Sequence, residues 1–187
     1  FQTKQRLDGV LVSVNASDAS ADGFETQATW RLANGLSVFG SYAYNHARFN
    51  GGAYDGNSFR NSPDNKFALG VNASVSTRLG ELSLTPVYSW QSKIFFSDDN
   101  DRSDLQVRSR AVFSDKTVDE YQDAFGLLNI RLGLTPASGP WSFAVMGENL
   151  LDEKYIVDGG NTGDSFGMPT FITGPRRTVR LEVSAHF

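Results

Sequence analysis

Gly174-Pro175-Arg176-Arg177-Thr178-Val179-Arg180-Leu181-Glu182-Val183-Ser184-Ala185-His186-Phe187 is the stretch that decides the fold. From Arg177 onward one parity reads Arg177, Val179, Leu181, Val183, Ala185 and Phe187, and the other reads Thr178, Arg180, Glu182, Ser184 and His186. Alternation with a period of two specifies a β-strand with one apolar and one polar face. Nothing follows in the sequence to cover the apolar row, so lipid is the cover this strand implies.

Working back along the chain, the same pattern recurs. Trp141, Phe143 and Val145 alternate with Ser142, Ala144, Met146 and Glu148, and a strand from Phe125 to Leu134 sets Leu128, Ile130, Leu132 and Leu134 against Asn129, Arg131 and Gly133. Leu82 to Phe96 carries Leu82, Leu84, Pro86, Tyr88 and Trp90 on one parity; Pro86 has no N–H and should open a local gap in the ladder, at a bulge. Asn65 to Thr77, Leu36 to Phe49, Phe24 to Leu32 and a short segment from Gly9 to Asn15 complete about eight strands. Phe39 is the one residue that breaks the pattern of its strand. Phe1 to Asp8 reads as polar and Ala16 to Gly23 as loop.

Connections alternate in length. Ala33–Gly35, which holds an Asn-Gly pair, Arg78–Glu81 and Thr135–Pro140 are short, and the stretches between them, including Asn50–Pro63, Ser97–Gln122 and Asp158–Gly174, are long. An up-and-down antiparallel sheet with tight turns at one end and long loops at the other is the pattern of an outer-membrane β-barrel. Glu25, Arg31, Arg131, Glu148, Arg180 and Glu182 all fall on the polar parity. A charge on the lipid side costs roughly 2–4 kcal/mol at mid-bilayer, which accounts for that asymmetry. Trp30, Trp141 and Phe187 fall near the short-turn end, and Phe67, Tyr42, Tyr44, Tyr88 and Trp90 near the other, as two interfacial girdles require.

Composition narrows the classes. The 187 residues carry a formal charge of −4 and no cysteine, which removes disulfides and thiolate chemistry, and the pI of about 5.1 disfavours a nucleic-acid partner. Hydrophobic content is 40% with a mean hydropathy of −0.32, and no run reaches the ~18 apolar residues of a spanning helix. The chain opens on Phe1 without a visible signal peptide, so a cleaved leader or a longer parent polypeptide is expected.

Asn149-Leu150-Leu151-Asp152-Glu153-Lys154-Tyr155, followed by Gly174-Pro175-Arg176 and a last strand ending in Phe187, resembles the carboxy-terminal signature of TonB-dependent outer-membrane receptors. Gly23-Phe24-Glu25 and Asn61-Ser62-Pro63 are similar to upstream elements of the same family. The resemblance spans nearly the whole chain, residues 1–187. It implies about the last third of a barrel of about 22 strands, in the outer membrane of a Gram-negative bacterium, without the plug domain or the first strands. The implied function is TonB-energised uptake of a scarce ligand of the ferric siderophore, haem, cobalamin or oligosaccharide class, with no enzymatic activity. The implied partners are outer-membrane lipid and lipopolysaccharide, the plug and remaining strands, the TonB complex through the plug, and the barrel-assembly machinery. Val179, Leu181, Val183 and Phe187 resemble the signal that machinery reads.

Taken at its own strand count, the chain reads instead as a complete eight-stranded outer-membrane barrel with a structural or adhesion role, its interior filled by side chains. A membrane-embedded hydrolase is poorly served, because His46 and His186 lie at opposite ends of the pattern. No catalytic residue or cofactor site is expected. Arg131, Glu148, Arg180 and Glu182 line the lumen toward plug or ligand, or pair with one another across strands. Tyr54, Phe59, Arg60, Phe166, Met168 and Phe171 lie in rim loops, as ligand contacts or as loop packing. Asp98, Asp99, Asp101 and Asp104 offer hard oxygen ligands for calcium but lack the glycine and closing glutamate of an EF-hand, so a solvated loop is the expectation.

Overall fold

The computed structural model describes residues 2–7, 10–15, 18–105, 120–160 and 170–186, the first two segments by their backbone alone. Phe166, Met168 and Phe187 lie outside the described residues, as does part of the Ser97–Gln122 loop. In chain order the strands are β1 (Gln2–Leu7), β2 (Val10–Asn15), β3 (Asp18–Ala33), β4 (Leu36–Asn50), β5 (Asn65–Thr77), β6 (Gly80–Gln91), β7 (Ile94–Phe95), β8 (Tyr121–Gln122), β9 (Phe125–Pro136), β10 (Trp141–Glu148), β11 (Ile156–Gly159), β12 (Phe171–Thr173) and β13 (Thr178–Ala185).

Seven of these form one antiparallel meander in the order β13-β10-β9-β6-β5-β4-β3. β1 with β2, β7 with β8 and β11 with β12 make separate two-stranded ladders. Among the described residues β3 and β13 each have a neighbour on one side only, so the sheet is open and the pairing that would close a small eight-stranded barrel is not formed. β3 and β4, at 16 and 15 residues, exceed the ~9–11 residues that a tilted strand needs to cross a bilayer.

Several strand boundaries change. The strand expected from Leu82 to Phe96 ends at Gln91, with β7 in a separate ladder, and the stretch expected as loop from Asp158 to Gly174 contains β12. The polar opening segment is a strand, β1, paired with β2 from Gln2↔Asn15 to Leu7↔Val10. β3 begins at Asp18 rather than Phe24, because its pairing with β4 continues to Asp18↔Asn50 and neighbouring backbone outweighs the weak strand preference of an Ala-Ser-Asp run.

Register places most of the apolar positions on one side. Trp30 faces Val38 and Val38 faces Val71; Leu82 faces Leu134, Leu134 faces Phe143, and Phe143 faces Val183. Many residues of this face are exposed, Trp30 and Leu181 each 72% accessible and Leu69, Val75, Leu132 and Val179 more than half so, with no described element covering them. At the long-loop end an aromatic belt closes the band: Phe24 and Tyr42 rings lie 5.7 Å apart, and Phe67 stacks on Trp90 at 5.6 Å. Trp30 and Trp141 stand at the other end. Charges on this parity come only toward the long-loop end, Asp18, Asp22 and Arg48 on β3 and β4 and Arg177 just before β13.

Local chemistry explains the irregularities. The β3–β4 turn takes its left-handed step at Gly35 (φ 72°), and register shifts by one between Arg31 and Ala33. Opposite Pro86 the β5–β6 ladder skips from Gly70↔Val87 to Ala73↔Leu84 with the register unchanged, so the missing N–H leaves a gap without a bulge. Phe39 lies on the polar face over Gly70, where a Cβ would collide with its ring; the aromatic ring fills what the glycine leaves empty.

Candidate functional site

The long loops gather at one end of the sheet and form their own core. Beyond Asn45 the polar-face residues of β4 become apolar, and Phe49 is 1% exposed. The loop between β4 and β5 folds back over it: Phe59 and Tyr54 rings lie 4.8 and 5.6 Å from Phe49, while the Phe49 N–H donates to Asn57 O (3.1 Å) and Phe59 N–H to Ala47 O (3.3 Å). Burial of Tyr54, helped by the negative charges of Asp99 and Asp98, pushes its hydroxyl pKa up.

Asparagines knit this loop to the next. Asn100 accepts from Ser58 N–H at 2.6 Å and donates to Ser58 O at 2.8 Å, and its own φ of 52° suits an asparagine. Asn57, also buried, donates to Asp98 O (3.0 Å) and accepts from Arg102 (3.2 Å). Asn61, at φ 55°, donates its N–H to Phe95 O (2.8 Å), and Ser62 accepts from Asn45 (2.6 Å), so the Asn61-Ser62-Pro63 element fastens the loop to both neighbours. The acidic run is partly spent inside this network. Buried Asp101 accepts from Glu120 N–H (2.9 Å), and Asp104 pairs with Arg102 at 2.7 Å, lowering the Asp104 pKa. Among the described residues no three carboxylates or imidazoles converge as a metal site would require.

At the base of the last long loop the residues of the carboxy-terminal signature assemble into a latch. Asn149 is 3% exposed with φ 48°; it donates to Glu153 O (2.9 Å) and Pro175 O (3.0 Å) and accepts from Glu153 N–H (2.8 Å). Its own N–H donates to Asn129 at 2.9 Å. Arg176 grips Asp152 through two hydrogen bonds of 2.9 and 2.5 Å, with the Arg177 N–H adding a third at 3.2 Å. The guanidinium and that N–H hold the Asp152 carboxyl well below the usual carboxylate range. Tyr155 stacks on Phe125 at 4.5 Å and covers Gly174, where a Cβ would enter its ring. Gly23 is required for a similar reason, since a Cβ there would strike the Tyr44 carbonyl. These roles depend on pairings 20 to 26 residues apart, which spacing alone does not reveal.

On the polar face Arg131, Glu148, Arg180 and Glu182 do come together. Arg180 pairs with Glu148, which also accepts from Thr178 (3.2 Å), and Arg131 lies 3.7 Å from Glu182. Tyr54 and Phe59 serve loop packing in this structure. Arg60 and Phe171 remain exposed, the latter opposite Gly159. Val179, Leu181 and Val183 form an exposed apolar row on β13. His46 faces Asp22 at the long-loop end, whereas the His186 N–H donates to Pro140 O at the short-turn end, so the two imidazoles cannot share a site.

No curated protein matches the chain in sequence. Solved structures do match its fold. The ferric yersiniabactin uptake receptor FyuA from Yersinia pestis aligns over 92% of this chain and 24% of its own, with a TM-score of 0.74 and 24% identity. The ferric citrate transporter FecA aligns over 89% and 24% (TM-score 0.68, 21% identity), and the copper transporter OprC over 98% and 26% (TM-score 0.64, 17% identity). The chain therefore spans about a quarter of the length of these structures. A family profile described as "TonB dependent receptor-like, beta-barrel" matches residues 1–150, upstream of nearly all of the latch. The chain belongs to the TonB-dependent receptor-like β-barrel family.

Proposed function

We propose that this chain is the carboxy-terminal wall of an outer-membrane receptor of a Gram-negative bacterium that takes up a scarce ligand with energy from TonB, and that it is a transport protein rather than an enzyme. The observation that carries the reading is the uncharged apolar face running across seven strands of an open sheet, belt to belt, in a chain of this family. A soluble monomer rarely exposes a contiguous apolar patch beyond a few hundred Å², and acyl chains remove the difficulty. The open edges at β3 and β13 call for further strands, since hydrocarbon does not tolerate unpaired backbone. The plug that contacts TonB then occupies the polar side, lipid and lipopolysaccharide the apolar side, and the β13 row of Val179, Leu181 and Val183, with Phe187, serves barrel assembly.

Ferric siderophores head the ligand classes, because FyuA and FecA are named for ferric chelates. The test is growth of the native bacterium lacking the gene, with ferric siderophore, haem, cobalamin or oligosaccharide as the only supply of the limiting nutrient. Loss of growth on one class, restored by the gene only where TonB is functional, is the expected result. Undiminished growth on all four contradicts the reading.

A further inference from the structure

We propose that the three long loops at this end of the sheet are interlocked as one body, whose parts keep the same mutual arrangement with and without ligand. This rests on the receptor reading above and adds how the rim receives its ligand: on a preset surface, with no closing movement between these loops.

Ties run from loop to loop through the described residues. Between the loop after β4 and the loop after β6, Asn57 donates to Asp98 O, Arg102 donates to Asn57, and the Asn100 amide both accepts from and donates to the backbone of Ser58. The Asn61 N–H, donating to Phe95 O, adds a further tie. Within the second loop the Phe96 N–H donates to Glu120 O (3.0 Å) and the Glu120 N–H to Asp101 (2.9 Å), which joins its outgoing limb to its returning one. The returning limb then reaches the loop after β10. Gln122 accepts from the Ile156 N–H at 2.6 Å, and the Phe96 ring closes on Gly159, where a Cβ would lie 2.9 Å from it. Gly160, with a φ of 76° that suits glycine, leaves the space that the Glu120 carboxyl occupies.

The tying groups lie inside. Asn57, Asp101, Gln122 and Phe96 are all buried. Both outer loops are also fastened to the sheet, the first by Phe59 on Phe49 of β4, the third by Asn149 and Tyr155 on Asn129 and Phe125 of β9. Loops that rearrange around a ligand are ordinarily poor in buried contacts and open easily. These have the opposite character: parting any two of them strips partners from buried amides or a buried carboxylate, and a polar network with its partners in place rigidifies the structure it joins. A surface already held in its binding shape avoids the ordering cost that a mobile loop meets on association.

The complete receptor polypeptide in bilayers tests this with pairs of nitroxides on a cysteine-free background, at exposed positions off the ties: Ala53→Cys with Ser103→Cys, and Ser103→Cys with Val157→Cys. Each pair should give one narrow distance by double electron–electron resonance, unchanged when ferric siderophore, haem, cobalamin or oligosaccharide is added. Asn100→Gly deletes the side-chain tie to Ser58 and keeps the left-handed backbone. It should broaden the first distance and speed amide exchange about tenfold both near Ser58 and at Ile156 in the third loop. If heat-modifiable mobility shows that this variant does not assemble, Asn57→Ala is read in its place with the same expectation. A second distance in the wild type, a shift of more than about 2 Å with any of the four ligands, or faster exchange confined to the first two loops overturns the interlock and leaves the receptor reading standing. Growth supported on none of the four nutrients overturns the receptor reading, while the distances without ligand and the reach of the faster exchange still decide the interlock.

Discussion

On its apolar face the sheet exposes large side chains, Trp30, Leu69, Leu132 and Leu181 among them, whereas at the base of the first long loops Phe49, Ala47, Ile94 and Phe96 are buried. The same chain follows opposite rules within a few residues of β4. The strands are arranged as though apolar solvent surrounded them, and the loops as though water did. Polar groups obey the same division: asparagines are buried and bonded in the loops, and small hydroxyls and amides line an open concavity on the sheet.

Substitutions can break that contrast. Phe49→Ala empties the loop core and should destabilise it by about 3–5 kcal/mol, a value typical of buried phenylalanine; hydrogen exchange across residues 52–59 should speed accordingly while the strands stay protected. Val71→Lys sets a charge on the apolar face and should cost roughly 2–4 kcal/mol, against under ~1 kcal/mol for Asn72→Lys one position along. Urea titration of the complete polypeptide in bilayers measures both, and equal costs would reverse the assignment of faces. Asn149→Ala removes the buried amide of the latch and puts alanine at φ 48°, for a loss of about 1–3 kcal/mol, visible as faster exchange of Glu153 and of the Pro175 neighbourhood. The smallest effect belongs to pH. Since folding lowers the Asp152 pKa, its contribution is fully present above the ordinary aspartate value of about 3.9 and is lost only as pH falls through the folded value. The latch should therefore keep its full strength from neutral pH to about 4 and weaken progressively as pH falls further, and Asp152→Asn should abolish that acid dependence in exchange measurements.

Much of the sheet was legible in the sequence, because side-chain parity follows directly from strand geometry and any error is penalised by the solvent on that side. Val179, Leu181 and Val183 could be assigned a face without coordinates for this reason. β1 was missed, since Gln2–Leu7 carries mostly polar residues and owes its conformation to pairing with β2. The start of β3 was missed because Asp18–Asp22 takes its extended form from β4. In the loops the residues were visible and their partners were not: Asn57 reaches Asp98 across 41 positions, and Asn100 reaches Ser58 across 42. The ion pairs of β9–β13 were legible as one of two alternatives, and only register shows that Glu25 and Lys66 are held apart.

The contact between the apolar face and acyl chains can be measured one residue at a time. With no native cysteine in the chain, single cysteines placed in turn from Leu69 to Val75 in the complete polypeptide can carry a nitroxide in bilayers, and its relaxation by oxygen can be compared with that by a water-soluble nickel chelate. Strict alternation is expected, with oxygen dominating at Leu69, Val71, Ala73 and Val75 and the nickel chelate at Asn72 and Ser74; Gly70 is passed over, because the Phe39 ring fills the space beside it. Uniform exposure to nickel, or the opposite phase, would contradict it.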